Sequence, residues 1–395
     1  LADMAFAKSL SVDLADRHSS FNWSGGTPGT PASLVENTAS ADTARWAIKY
    51  QPMDSLLLRA SWSQGFRTPS ISDLYFGNSS NYPAAKDPCA GGYGGLQPGA
   101  PLPPGCGSQH KNQPNAQIMA IGGGNPNLTP EKAVSKTLGF VWNPGFLPGF
   151  DFSADYYKIS LYNEIGAIGA QNILNGCYFQ TQPGYCKFIT VNSGIITKIM
   201  NTNVNNGQLD TAGIDVSTHY KLPSTSVGDF KLGLDWTFLR EYQFTSADKS
   251  VTNELGLTTS FGGFPRQKAT IALNWNYGDW SANWDIKYVH SLYEQGCSNT
   301  SIALGECSDL GPVKVVKGKN TYPDSKNHLG NWFTHNVQVA YHVESWNTDF
   351  SFGIRNLFDK APPAAPNSAF ANTYLPALYP IVPGRFFYGR VSVKF

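Results

Sequence analysis

The chain is short of charge. Only 14% of its 395 residues are Asp, Glu, Lys or Arg, and the net charge is +1, where soluble domains average about a quarter charged residues. Such a balance offers no basic stripe to a nucleic acid. Long apolar runs are missing too: nothing approaches the ~20 consecutive apolar residues of a membrane helix. A helical membrane protein is thereby excluded, but a barrel that crosses with short alternating strands is not. The catalytic signatures are absent as well. There is no Gly-x-Ser-x-Gly nucleophile elbow and no phosphate-cradling Gly-x4-Gly-Lys-Ser/Thr loop. Gly122-Gly123-Gly124 runs into Asn125-Pro126 rather than a helix, so it punctuates a loop. The seven histidines are scattered; His335 and His342 share one predicted strand but face opposite sides. No site assembles for acid–base, nucleophilic or metal chemistry, so the sequence predicts neither an enzyme nor a cofactor nor a metal centre. Leu1-Ala2-Asp3-Met4 lacks the basic start and apolar core of a signal peptide, and the chain reads as a processed or truncated piece.

What the chain does have is a beat of two. In Arg385-Phe386-Phe387-Tyr388-Gly389-Arg390-Val391-Ser392-Val393-Lys394-Phe395, Phe387, Val391, Val393 and Phe395 fall on one side and Arg390, Ser392 and Lys394 on the other. Period two is a strand with one apolar and one wet face. Trp280, Ala282, Trp284, Ile286 and Tyr288 repeat the pattern, as do Phe230, Leu232, Leu234, Trp236 and Phe238. Segments of about ten residues, apolar outward and polar inward, with aromatics near their ends, suit a lipid-facing barrel wall. Strands are predicted over 8–18, 43–51, 55–66, 131–143, 150–163, 206–221, 228–244, 266–277, 279–291, 331–343, 348–357 and 384–395. The alternation slips at Tyr156-Tyr157-Lys158, where a β-bulge is expected. Lys136 falls on the apolar side of its strand, which requires a place near a membrane rim.

Short turns such as 51–54 and 276–279 alternate with long Gly-, Pro- and Asn-rich excursions over 67–130, 164–206 and 292–330. Soluble domains seldom carry loops of that size, whereas outer-membrane barrels pair short periplasmic turns with long extracellular loops. The sequence therefore reads as an all-β, up-and-down antiparallel transmembrane barrel whose final strand ends on the periplasmic side. The six cysteines lie in the excursions as Cys89 with Cys106, Cys177 with Cys186, and Cys297 with Cys307. That placement suggests loop-stapling disulfides in a protein crossing an oxidising periplasm, although spacing alone does not fix connectivity.

Several stretches resemble one family. The run from Gln51 through Trp62-Ser63-Gln64-Gly65-Phe66-Arg67-Thr68-Pro69-Ser70 to Tyr75 looks like a barrel signature of TonB-dependent outer-membrane receptors. Gly124-Asn125-Pro126-Asn127-Leu128-Thr129-Pro130-Glu131-Lys132, Asp155-Tyr156-Tyr157-Lys158-Ile159, Asn356-Leu357-Phe358-Asp359-Lys360 and the terminal Phe395 follow in family order. Local physics accounts for part of this: Gly65 and Pro69 would turn the chain out of a strand, and Asn356 and Asp359 suit a tight turn.

The resemblance implies active uptake at the outer membrane of a Gram-negative bacterium. It implies a barrel of about 22 strands around an N-terminal plug, of which residues 1–395 supply about the C-terminal twelve strands and no plug. Partners implied are outer-membrane lipid, the missing barrel half and plug, and the TonB complex, reached through a TonB box on the missing plug side. The barrel-assembly machinery would read the C-terminal strand through Phe387 and Phe395. The ligand would be a small scarce nutrient: a ferric siderophore, haem, cobalamin or an oligosaccharide. In a plugged barrel it would meet Tyr75, Tyr82, Tyr93 and His110 on the longest loop, whose rings offer stacking surface, with Arg67 and Arg355 at the upper strand ends. A self-contained barrel of about twelve strands, acting as a passive channel or adhesin, explains the alternation and the loops equally well.

Overall fold

A computed structural model describes residues 2–4, 7–26, 35–246, 251–259, 262–295, 310–311, 313–316, 319–321, 326–365, 374–379 and 384–393. Twelve long strands follow one another in chain order. They are β1 (Ala7–Gly25), β2 (Val35–Met53), β3 (Leu56–Arg67), β4 (Glu131–Trp142), β5 (Phe150–Tyr162) and β6 (Gln208–Lys221), then β7 (Asp229–Thr245), β8 (Gln267–Tyr277), β9 (Trp280–Val289), β10 (Trp332–Val343), β11 (Thr348–Arg355) and β12 (Phe386–Val393). Each pairs antiparallel with its sequence neighbours, and the short pieces Ala2–Met4 and Val251–Asn253 complete a 14-stranded sheet. Among the described residues the order begins at Ala2–Met4 and ends at Phe386–Val393, each with one neighbour.

All twelve predicted segments are strands, because period-two patterning on one polar and one apolar face leaves no helical alternative. The first hairpin runs well past its predicted end: Ser9 to Gly25 pairs with Gln51 to Val35 without a break. The Ser-, Asn- and Thr-rich upper part reads as loop, yet the ladder persists there, with Phe21 edge-on to Phe66 at 5.3 Å. Gly65 does not turn the chain; it sits in the ladder opposite Ala133. Asn356 and Asp359 do take the left-handed conformation, at φ 53° and 55°.

The predicted bulge lies one strand away from its expected place. Strand β5 keeps unbroken register with both neighbours through Tyr156, Tyr157 and Lys158. The irregularity falls instead between β6 and β7, where Ala212 faces Glu241 and Gly213 faces Leu239, leaving Arg240 as the extra residue. Gly213 there lies under the Tyr157 ring, and a Cβ on it would come within 2.7 Å of Tyr157 Cζ. A tyrosine accommodated over a bare glycine needs no bulge of its own.

The two faces differ as the pattern requires. One carries Leu138, Phe352 and Leu14, exposed at 63, 54 and 77%. Aromatic contacts border it at both ends: Trp142 with Phe150 and Trp280 with Tyr341 toward the turns, Trp236 with Phe238 and Tyr288 with Phe333 toward the loops. The other face is hydrogen-bonded across strands, by Arg59 to Asp155, Ser217 to Asp235, Thr237 to Asp215 and Asn336 to Asp285. His335 contacts Trp284 on the apolar face, whereas His342 pairs with Asp349 on the polar one.

The excursions over 67–130 and 164–206 are folded, not structureless. Segments from 84–120 and 168–199 share one core of Cys89, Cys106, Ile118, Ala120, Ile173, Leu174, Tyr178, Tyr185, Ile196 and Ile199, all buried. Strand Ile195–Met200 lies parallel to Ala120–Gly122, and helix α2 (Ala170–Tyr178) packs into the same core. A second core joins Leu292, Leu329 and Trp332 to Leu375, Leu378 and Tyr379.

Candidate functional site

Arg67 ends β3 on the polar face, directly opposite Glu131, the first residue of β4. Its guanidinium grips Glu131 with two bonds of 2.6 and 2.8 Å and reaches Asp73 at 3.1 Å. Asp73 belongs to the short helix α1 (Ile71–Tyr75), which a capping box initiates: Ser70 Oγ accepts from the Asp73 amide, and Asp73 accepts from the Ser70 amide. Burial raises the Asp73 carboxyl, but bonds from Ser70 and the charge of Arg67 outweigh it and hold the group below its ordinary range. Arg67 is thus paired within the mouth. Tyr75 of the same helix packs over Gly25 at the tip of the first hairpin.

Around this pair the mouth turns acidic. Glu164 follows β5, and burial with the nearby charges of Glu131 and Glu254 pushes its carboxyl up. Glu254 is likewise pushed up by burial. Glu131, Glu164 and Glu254 were not expected from sequence. A signal for Glu131 was present, since pairing β3 with β4 sets it opposite Arg67; the other two sit alone in loops that only tertiary structure brings together.

The motif before β4 forms a clasp. Asn125 Nδ2 donates to the Asn203 carbonyl, and the Asn125 amide donates to the Asp73 carbonyl. Asn205 Oδ1 accepts from the Thr129 amide, while Asn205 Nδ2 donates to the carbonyls of Thr129 and Asn163. A Cβ at Gly124 would come within 2.6 Å of the Leu74 backbone, so only glycine permits this approach to α1. The clasp binds the loop after β3 to the loop after β5 at their base.

The other sequence-chosen residues do not converge. Tyr82 and Tyr93 stand on the surface of the shared loop core, 59 and 58% exposed. His110 is tucked inside it, its Nδ1 2.8 Å from a fully buried Asp87 and its ring edge-on to Tyr178. Burial, helped by the Asp87 charge, pushes the Tyr178 phenol up to about 12. Asp87, Cys89 and His110 bring ligand-type atoms within 4.8 Å of one another. Yet Cys89 is bonded to Cys106, and Asp87 also accepts from the Cys89 amide and Gln113, so the cluster serves as an internal latch. The second disulfide joins Cys177 to Cys186 across α2 and α3 (Pro183–Cys186). Cys297, Cys307 and Phe395 lie outside the described residues. Phe387 lies opposite Ile354 on β11, exposed on the apolar face.

Arg355 stands apart, at the loop end of β11, with its guanidinium over the Tyr388 ring at 5.5 Å. It borders a cleft of about 540 Å³ on the polar face, together with Gln338, Asp349, Ser351, Tyr388 and Arg390.

An up-and-down antiparallel wall with an aromatic-bordered apolar face, a polar inner face and long folded loops at one end defines an outer-membrane barrel. The family model for the TonB-dependent receptor-like β-barrel matches residues 2–357, and the chain belongs to that family of transport receptors. Members of this family reside in the Gram-negative outer membrane. No curated protein sequence matches the chain. Among solved structures it is similar to the siderophore receptor PirA from Acinetobacter baumannii, at 14% identity and a TM-score of 0.55, covering 97% of this chain and 46% of that one. The ferric enterobactin receptor PfeA from Pseudomonas aeruginosa gives 15%, 0.53, 96% and 45%. The FrpB iron transporter from Neisseria meningitidis gives 12%, 0.51, 98% and 42%. The chain spans less than half the length of each of these structures.

Proposed function

We propose that this chain is part of the barrel of an outer-membrane receptor for TonB-energised uptake of a scarce nutrient. One observation carries the reading: nearly the whole chain aligns to less than half of each similar receptor. The remaining barrel strands and a plug would come from outside residues 1–395, and TonB would act through the plug. Strand edges left unpaired in lipid would leave backbone groups unsatisfied at several kcal/mol each, so on this reading the chain would need those further strands to insert and transport. The barrel-assembly machinery would engage β12.

The ligand would enter over the loop core and meet the polar face at the mouth. Arg67 is outnumbered by the Glu131 and Asp73 carboxylates that hold it. That favours a ligand presenting cationic or hydroxyl-rich groups at this spot over one presenting carboxylates. The solved relatives are named for siderophore and iron uptake, which supports testing iron chelates first.

The test is uptake by cells carrying the native gene that contains this sequence, with radio-iron chelates, haem, cobalamin and oligosaccharides offered in turn. Accumulation that stops when the proton-motive force is collapsed supports the receptor. Accumulation that continues in de-energised cells, with the chain alone forming a heat-modifiable barrel, supports the passive channel instead.

A further inference from the structure

With its disulfide closed, the cluster of Asp87, Cys89 and His110 is a latch; with the disulfide open, the same atoms can do something else. Asp87 and Cys89 are fully buried, and Cys106 is 7% exposed. A carboxylate oxygen, the Cys89 sulfur and a His110 ring nitrogen lie within 4.8 Å of one another. The Cys106 sulfur is bonded directly to that of Cys89. Two sulfurs, an imidazole and a carboxylate are thus gathered where water is largely excluded.

The backbone holds these positions without help from the S–S bond. The Asp87 carbonyl accepts from the amides of Ala90 at 3.2 Å and Gly95 at 2.8 Å, which fixes the turn carrying Asp87 and Cys89. Parallel pairing of Ala90–Gly92 with His110–Gln113 brings His110 alongside, and its amide donates to the Cys89 carbonyl at 2.9 Å. Cys106 is pinned from the other loop, since the Gly105 amide donates to the Tyr178 carbonyl at 2.9 Å. The approach is so close that the Cys177 carbonyl leaves no room for a Cβ at Gly105. In the folded loop core, opening the S–S bond therefore leaves both sulfurs beside Asp87 and His110.

We propose that the dithiol form of this chain binds a divalent zinc-type cation through Cys89, Cys106, His110 and Asp87, so that metal and disulfide exclude one another. Reduction by a dithiol breaks the Cys89–Cys106 bond: two electrons and two protons pass to the sulfurs, and the dithiol closes to its own disulfide. The cation then displaces both thiol protons. His110 stays neutral with its proton on Nε2, and the metal takes the place between Nδ1 and Asp87 that a hydrogen bond fills now. The donor set selects the ion, because calcium and magnesium want about six or more oxygens, whereas thiolates with imidazole and carboxylate make a tetrahedral set for a borderline-soft ion. Bonds of about 2.0–2.3 Å let the donors of one ion stand at most about 4.6 Å apart, close to the span already present. Every copy of the chain passes through this dithiol form before an oxidising compartment closes its disulfides, so the metal would set the loop core at that stage.

The experiment uses the complete receptor containing this chain, purified in detergent and reduced anaerobically with dithiothreitol, which is then removed. Cobalt(II) chloride is titrated in as the spectroscopic probe, followed by zinc chloride. The reduced native receptor should develop the thiolate-to-cobalt charge-transfer band and the strong visible bands of a tetrahedral ion, and zinc should bleach them. Reduced C89S/C106S and the oxidised native receptor should show neither, and H110A should bind about tenfold more weakly or worse. Zinc should also restore to the reduced native receptor the protease resistance of 84–120 that opening the disulfide removes. Identical cobalt spectra from the reduced and oxidised native receptor overturn the proposal, and that comparison needs no substitution that could unfold the loop core. Identical spectra from reduced native and reduced C89S/C106S receptors overturn it too, as does equal cleavage of the reduced native receptor in zinc and in chelator.

Discussion

Arg59 reaches across the bare Cα of Gly139 to bond Asp155, Nε to Oδ1 at 2.7 Å, so β3 is tied to β5 over the strand between them. The pair is partly exposed on the polar face, which limits D155A to a loss on the order of 1 kcal/mol. G139V should cost more, about 1–3 kcal/mol, because a Cβ at this position would lie 2.6 Å from the Ala154 carbonyl and drive into the Asp155 carboxylate. The temperature at which the complete receptor loses its heat-modifiable form measures both. A G139V receptor as heat-resistant as the native one would sink this account.

The disulfides should matter locally. Removing Cys89–Cys106, which closes a loop of 17 residues, costs about 3 kcal/mol by loop entropy, and that cost falls on the shared loop core. C89S/C106S should therefore expose 84–120 and 168–199 together to limited proteolysis while the strands keep their amide protection. Cleavage confined to 84–120 would contradict the shared core.

At the mouth the carboxylates oppose one another in pH. Glu164 and Glu254 titrate above the ordinary 4.5 in the folded state, so the fold binds their protons more tightly than the unfolded chain does. Their contribution is complete below 4.5 and is lost as pH rises through their raised folded values. Asp73 is shifted downward, so its contribution is present above its ordinary value and lost on acidification. E164Q should protect the loop amides relative to the native receptor at neutral pH and leave them unchanged at pH 4. Hydrogen exchange at the two pH values decides it, and equal protection at both would remove Glu164 from the argument.

The asparagine clasp predicts coupling. N205A removes bonds to Thr129 and Asn163, each worth about 1 kcal/mol net. Exchange at Gly124–Pro130 and at Asn203–Asn205 should accelerate together, and acceleration on one side alone would show that the clasp does not join the loops.

The wall was legible in the sequence and its mouth was not. Twelve strands announce themselves because each alternates over ten residues or so, a signal that owes nothing to distant partners. The upper part of β1 and β2 escaped because Ser, Asn and Thr read as turn residues, while a ladder asks only for backbone groups. Adjacent tyrosines at Tyr156-Tyr157 break the beat and so read as a bulge, although Gly213 on the next strand makes room for one of them. His110 reads as a ring offered to a ligand, and only the fold shows it held by Asp87 beneath Tyr178. Glu164 and Glu254 have no local signature at all: 90 residues of chain separate them, and their proximity exists only once the loops are folded.

The shared core of the two loops also has a bearing on heredity. Cys89, Ile118 and Ala120 from one loop interlock with Ile173, Tyr178 and Ile199 from the other, so neither loop can be exchanged, lengthened or diversified alone without unmaking the hydrophobic seam between them. New ligand preferences would have to arise on the rind, at positions such as Tyr82 and Tyr93, or by inheritance of both loops as a single cassette.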